Sequence, residues 1–325
     1  MKKITQMIVG LVSASCLALS MAVQAGEEGF IDIETGQVLH YLAEGEPGKP
    51  LLLFLHGAPE RAEVWQDYLK AFSQDYYTVA YTSRGYYPST IPTEVADYSV
   101  TTLAADAVAV AKALGYEKFT VVGHDWGGAT AWRTAINYPN NVERAVIFAN
   151  PHPLMYARAY HESDKQRALI DAYVPLARDD IAPWSREATL ANNVAHFKRD
   201  VYTEEAKNRM DWSLGLALEE MWLANNGASI DAIYNHYKAL DWPLTTLNTC
   251  NPAPSFSLTV SQPVLVFYGE QDRFNSGEAY RLPNNDCTPN AKYVKYKKGD
   301  HWIHQTRKYN AIKHMKTFFS KNPAH

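Results

Sequence analysis

The sequence has no Lys/Arg run and no basic stripe, and its charge balance is slightly acidic, with 31 Lys+Arg against 35 Asp+Glu and a formal net charge of −4. That footprint argues against a nucleic-acid partner. Low-complexity tracts and internal repeats are absent, so neither a disordered chain nor a solenoid is expected. Past the N-terminus no apolar stretch is long enough to span a bilayer, and no stable membrane anchor is expected. The 11 histidines show no metal-ligand spacing, and nothing in the pattern asks for a cofactor. Cysteine is scarce too, with three in 325 residues. What remains is a chain of ordinary apolar content, long enough for one large α/β domain with an insertion.

The N-terminus is of a different kind. Lys2 and Lys3 precede an apolar run over residues 7–22, and Val23-Gln24-Ala25 offers a small-residue cleavage site. Residues 1–25 are therefore expected to be a secretory signal peptide. Its removal takes two lysines, moving the net charge from −4 to about −6. It also removes Cys16, leaving Cys250 and Cys287. In an oxidising compartment, periplasmic or extracellular, two remaining thiols are expected to pair. Such a bridge would tie the end of the middle segment to a core loop.

The first half alternates apolar runs with helical patterns. Residues 51–55, 77–81, 119–122 and 145–148 read as buried strands. Between the second and third, Leu103, Ala107, Val110 and Leu114 fall on one helical face, with Thr101 or Thr102 to cap its start and Gly115 to end it. The strand pattern stops over residues 151–261, which are rich in aromatics and helix formers, and resumes at 263–268 and 291–296, before a closing helix that runs to Phe319. The expected fold class is α/β, with a mostly parallel central sheet and helices on both faces. Residues 26–150 and 262–325 would form the core, and 151–261 an inserted helical cap, or lid, over an active site.

The strongest local signal is Val121-Val122-Gly123-His124-Asp125-Trp126-Gly127-Gly128. An apolar strand runs into a tight, glycine-flanked turn and then a helix, which is a nucleophile elbow with Asp125 at its centre. This elbow, His56-Gly57-Ala58-Pro59, Ser83-Arg84-Gly85-Tyr86-Tyr87-Pro88-Ser89 and Ala149-Asn150-Pro151-His152-Pro153 together resemble the epoxide hydrolase and haloalkane dehalogenase branch of the α/β-hydrolases. The resemblance spans nearly the whole chain after the signal. The N-terminal signal is similar to that of the secreted epoxide hydrolases. The chemistry suits the residue, because a carboxylate is ionised at neutral pH and needs no base to attack an sp³ carbon. Hydrolysis of the resulting ester does need one.

The resemblance implies where the partners stand. Gly299-Asp300-His301-Trp302 matches the family's Gly-x-His-Trp pattern, making His301 the base. His304, three residues on, is expected at the start of the closing helix as an ordinary helix histidine. His56 and His124 are expected to shape loops. Asp272 occupies the family's usual place for the acid that orients the base, whereas the alternative place one strand earlier holds Asn150. Glu270 and Asp300 are expected to be solvated. Backbone N–H groups of Ala58 and Trp126 would form the oxyanion hole. Ala58 replaces the larger aromatic residue usual there, leaving a wider pocket.

The leaving group decides the reaction. An opening epoxide needs proton donors from the cap. Asn235-His236-Tyr237-Lys238 resembles the segment that carries one such tyrosine, and Ala172-Tyr173 followed by Arg178 resembles the other with a one-residue offset. Tyr237 and Tyr173 are the candidates, and packing is the alternative for each of the 21 tyrosines. A halide would need a second N–H donor beside Trp126, for which Trp184, Trp222 and Trp242 are available. The expected activity is hydrolysis of a small apolar epoxide to a vicinal diol without cofactor or metal. Haloalkane dehalogenation and a non-catalytic ligand-binding role on the same fold are the alternatives. A homodimer is left open.

Overall fold

The computed structural model describes residues 26–178, 227–240, 249–251, 257–281 and 287–324. The residues expected to form the signal peptide lie outside this set. The centre is an eight-stranded sheet in the order β1-β2-β4-β3-β5-β6-β7-β8. Its strands are β1 Glu27–Asp32, β2 Val38–Glu44, β3 Leu51–Leu55, β4 Tyr77–Tyr81, β5 Phe119–His124, β6 Val142–Phe148, β7 Val264–Gly269 and β8 Ala291–Tyr296. β2 pairs antiparallel with β1 and β4, and every other pair is parallel.

The parallel strands are apolar runs because both of their faces are covered. Successive residues alternate between two cores. Leu51, Leu53, Leu55, Val79, Val121, Ala145, Ile147, Val264 and Val266 face one, and Leu52, Phe54, Ala80, Val122, Val146, Phe148, Leu265 and Phe267 face the other. Helices α2 Val100–Ala113 and α3 Trp126–Asn137 pack on the first face through Ala107, Val110, Ala131 and Trp132. Helix α1 Gln66–Phe72 closes the second face with Tyr68 and Phe72. Two strands were not anticipated. β1, at the sheet's edge, alternates half-buried with exposed positions, and in β2 the buried run over residues 39–43 is interrupted by His40, so no continuous apolar run announces either.

Helix α2 is capped by Ser99, whose Oγ accepts the Thr102 N–H at 3.1 Å, and not by Thr101 or Thr102, which lie inside the helix. Gly115 follows its end at φ 87°, where a side chain would be strained.

Between β6 and β7 the chain leaves the sheet, at Ala149 with φ 53°. It forms α4 Pro153–Glu162, α5 Asp164–Arg178 and α6 Ala228–Lys238. Helix α6 contacts the core loop after β4: Ser229 Oγ accepts the Tyr87 N–H at 3.0 Å, and the His236 ring packs against Tyr86, Tyr98 and Trp126. Cys250 and Cys287 form a disulfide with a Cα–Cα distance of 5.2 Å. After β8, a short helix α7 Ile303–Thr306 precedes the closing helix α8 Lys308–Lys321. Met315, Phe318 and Phe319 of α8 complete the second core.

Candidate active site

β5 ends at His124 and α3 begins at Trp126, so Asp125 alone makes the turn, at φ 53° and ψ −117°. The glycines around it are required by close approach. A Cβ on Gly123 would stand 2.1 Å from the Gly127 carbonyl oxygen, and one on Gly127 would stand 2.2 Å from that of Leu55. The turn thrusts the Asp125 carboxylate out beyond the strand ends and sets it at the positive end of α3.

Three segments converge on that carboxylate. From the turn after β3, the Ala58 N–H donates to Asp125 Oδ1 at 3.0 Å. From the segment after β8, His301 Nε2 stands 3.3 Å from Asp125 Oδ2. From the loop after β7, Asp272 Oδ2 lies 2.8 Å from His301 Nδ1. Asp272 Oδ1 accepts the N–H groups of Phe274 and Asn275 at 2.7 and 3.0 Å, which fixes the carboxylate's orientation. Trp126 is the first residue of α3, so its N–H has no acceptor within the helix.

The electrostatics follow from this placement. Burial alone would lower His301, but the charges and hydrogen bonds of Asp272 and Asp125 outweigh it and lift its pKa to about 10. His301 is thus held between two carboxylates that favour its protonated form. Burial pushes Asp125 up, yet the His301 hydrogen bond and charge, the His124 imidazole and the Ala58 N–H bring it below the usual carboxylate value.

Tyr237 reaches the site from α6. Its ring meets Trp126 edge-on at 5.0 Å between centroids. Burial and the Asp125 charge raise the Tyr237 pKa far above that of free tyrosine, so the phenol keeps its proton. Tyr173 lies on α5. Trp184, Trp222 and Trp242 lie outside the described residues.

The remaining expectations divide. His56 shapes a loop: Nε2 accepts the Ser83 N–H at 2.9 Å, so Nδ1 carries the hydrogen that goes to the Gly57 carbonyl at 2.8 Å. Burial holds it neutral, with a pKa of about 4. His304 is not in the closing helix and is no ordinary helix histidine. It sits in α7, fully buried, 3.1 Å from Glu60. Glu60 itself was not singled out, since a single Glu after His56-Gly57-Ala58-Pro59 gives no local sign of burial. Glu270 is not simply solvated, because it pairs with Arg281 and Lys295. Asp300 accepts hydrogen bonds from the Trp302 N–H and the Thr306 hydroxyl.

The chain is 27% identical over 278 residues to mouse epoxide hydrolase 4, covering 84% of this chain and 73% of that protein. It is 29% identical over 290 residues to epoxide hydrolase 1 of Caenorhabditis elegans, covering 87% and 68%. A solved structure described among novel epoxide hydrolases from hot-environment metagenomes superposes with a TM-score of 0.76 at 26% identity, covering 91% of this chain and 99% of that one. The family model described as alpha/beta hydrolase fold matches residues 50–307, and the chain belongs to that family.

Proposed function

We propose that this chain hydrolyses epoxides to vicinal diols through an ester on Asp125. The observation that carries the reading is the continuous contact Ala58 N–H, Asp125, His301, Asp272, with the Tyr237 ring packed edge-on against Trp126, the residue next to Asp125. The names of the relatives above support the same substrate class.

In this reading an apolar epoxide enters between α6 and the strand ends, and its oxygen accepts a hydrogen bond from Tyr237, with Tyr173 of α5 as the second donor. Asp125 attacks an oxirane carbon; a C–O bond to the carboxylate forms and the ring C–O bond breaks. The alkoxide takes the proton of the Tyr237 phenol, and the phenolate is reprotonated from solvent, to which His301 releases its own proton. Esterification also removes the Asp125 charge, so His301 loses one of the two carboxylates that raised its pKa. The neutral imidazole, oriented by Asp272, then takes a proton from water while the oxygen attacks the Asp125 carbonyl carbon. The Ala58 and Trp126 N–H groups stabilise the oxyanion. Collapse releases the second hydroxyl with the proton of the Asp125 carboxyl, and the Asp125 carboxylate and His301 imidazolium are restored. The cycle consumes one epoxide and one water, and the residues supply it without a cofactor.

Halide abstraction by the same machinery would need a second N–H donor beside Trp126, and the candidates Trp184, Trp222 and Trp242 lie outside the described residues. A non-catalytic role has no use for a base with its own orienting acid. Export is part of the proposal, resting on the N-terminal pattern of residues 1–25 and in keeping with the Cys250–Cys287 bridge. A cap formed by residues 151–261 is likewise proposed.

The test is intact-protein mass spectrometry of His301→Gln incubated with epoxides and, separately, with haloalkanes. The expected result is an adduct of the whole epoxide mass that vanishes when Asp125 is also replaced by Ala. An adduct from haloalkanes alone would assign dehalogenation, and no adduct from either panel would overturn the ester mechanism.

A further inference from the structure

Behind the base lies a cluster that the reaction above leaves unused. Glu60, His124 and His304 are all fully buried. Glu60 Oε2 lies 3.1 Å from His124 Nδ1, and Glu60 Oε1 lies 3.1 Å from His304 Nε2. The other nitrogen of His124, Nε2, lies 3.1 Å from the His301 carbonyl oxygen. A carbonyl can only accept, so Nε2 carries a hydrogen, and His124 Nδ1 and Glu60 share one further proton. Burial holds His304 neutral, with a pKa of about 4. Its single N–H is directed at Glu60, and its Nδ1 has no hydrogen-bond partner among the described residues.

Two imidazoles and a carboxylate invite a metal-ion reading, and the ring geometry argues against it. The His124 and His304 rings are stacked, with centroids 3.7 Å apart and planes 25° apart. The in-plane lone pairs of nearly parallel rings run side by side and do not converge on one ion. Glu60 also meets each imidazole with a different oxygen, as a hydrogen-bond acceptor shared between two donors does.

The cluster joins three segments far apart in sequence. Glu60 closes the turn after β3, its N–H donating to the Gly57 carbonyl at 2.9 Å, and that same turn presents Ala58. His124 is the last residue of β5, directly before the nucleophile. His301 and His304 lie on the segment after β8. One carboxylate therefore holds the base segment twice, through the His304 side chain and through His124 to the His301 backbone.

We infer that Glu60 is a positioning residue, setting the base segment in register with the nucleophile and the Ala58 N–H. The inference rests on the Asp125–His301–Asp272 reading and goes beyond it. Attack on the epoxide needs Asp125 and a proton donor. Ester hydrolysis additionally needs His301 Nε2 held against a water and the acyl carbon, and a displacement of about 1 Å there costs on the order of 100-fold. The second step is the one that Glu60 governs.

The experiment follows ester formation and decay by rapid-quench mass spectrometry with styrene oxide as the probe. Glu60→Gln keeps the size and puts an amide N–H where a carboxylate oxygen accepted. It is expected to slow ester hydrolysis roughly 10- to 100-fold, with ester formation and KM changed less than about threefold, so that the ester accumulates. His304→Ala and His304→Gln keep the inference testable if Glu60→Gln fails to fold. The first should slow hydrolysis, and the second, which restores a donor toward Glu60, should recover most of the loss. A substrate-free readout accompanies these: ¹⁵N spectra of the resting protein should show His124 protonated at Nε2, and His301 ring signals that move in the Glu60 or His304 variants. Unchanged ester decay in variants of a protein that turns over styrene oxide would overturn the inference, as would a His124 with bare Nε2. If the wild type forms no ester while the imidazole signals behave as stated, the epoxide reading fails and the positioning role stands.

Discussion

Asp125 holds a backbone conformation that costs on the order of 1–3 kcal/mol for a residue with a side chain, and the surrounding glycines and sheet impose it. What it receives in return is a carboxylate lifted clear of the sheet and paired with His301. That pair ties stability to pH. A histidine whose pKa rises from 6.5 to about 10 on folding contributes its full stabilisation below pH 6.5 and loses it as pH climbs through about 10. The stability advantage of the wild type over His301→Gln, read from urea midpoints, should therefore shrink across that window. The change should be on the order of a few kcal/mol, since each pKa unit corresponds to about 1.4 kcal/mol. A difference that is flat with pH would contradict the imidazolium. Asp272→Asn keeps the shape but removes the charge that contributes most to raising His301. Ester hydrolysis should fall roughly 100-fold or more in single-turnover measurements, while ester formation survives.

Helix α2 and the loop after β4 are locked together by Arg84 and Asp106. Both are buried, with Nε and one terminal nitrogen of Arg84 each 2.6 Å from a different Asp106 oxygen. Such a fork is rigid, and removing one partner leaves a buried charge uncompensated. Asp106→Ala should lower the denaturant-derived unfolding free energy by about 3–5 kcal/mol. Ser99→Ala, which deletes the cap of the same helix, should cost only about 1 kcal/mol, because a neighbouring water can replace one hydrogen bond. If the two substitutions cost the same, the fork is not the stronger restraint. The helix that carries Tyr237 contributes through packing of a different kind. Ile230 and Ile233 of α6 enter the same core as Phe148 and Trp302, which sets Tyr237 against Trp126.

Across the whole molecule, the disulfide joins residues 37 apart in sequence, one beside the segment leading back to β7 and one in the loop before β8. Closing a loop of that length in the unfolded chain is worth roughly 2–4 kcal/mol. Cys250→Ser with Cys287→Ser should lower the melting temperature by several degrees, and reductant should do the same to the wild type but not to the double variant. Leu258 and Val260 bond to the backbones of Cys250 and Cys287, so the bridge also holds the chain's re-entry into the sheet, and His152 at the exit reaches the Leu258 carbonyl at 2.9 Å. Exit and re-entry of the inserted helices are thereby tied to one another.

The buried strands were legible because a strand covered on both faces must be apolar at every position, and β3, β4 and β8 fall where their residues predict. The elbow was legible because steric demand writes glycines into the chain around Asp125. The cysteine pairing was legible because only two thiols follow the expected signal. The edge strand β1 was not, since half-covered positions tolerate polar residues, and β2, though buried over residues 39–43, is interrupted by His40 and leaves no continuous apolar run to read. The site beyond its motifs belonged to tertiary structure alone. Glu60, His124 and His304 are separated by up to 244 positions, and no local pattern marks a carboxylate as buried or a histidine as its partner. The sequence by itself determined which residues could carry the chemistry. The order of the strands decided which of them meet, and with that the protonation of His301 and the surroundings of Asp125, because charge and burial act through distances that only the folded chain possesses.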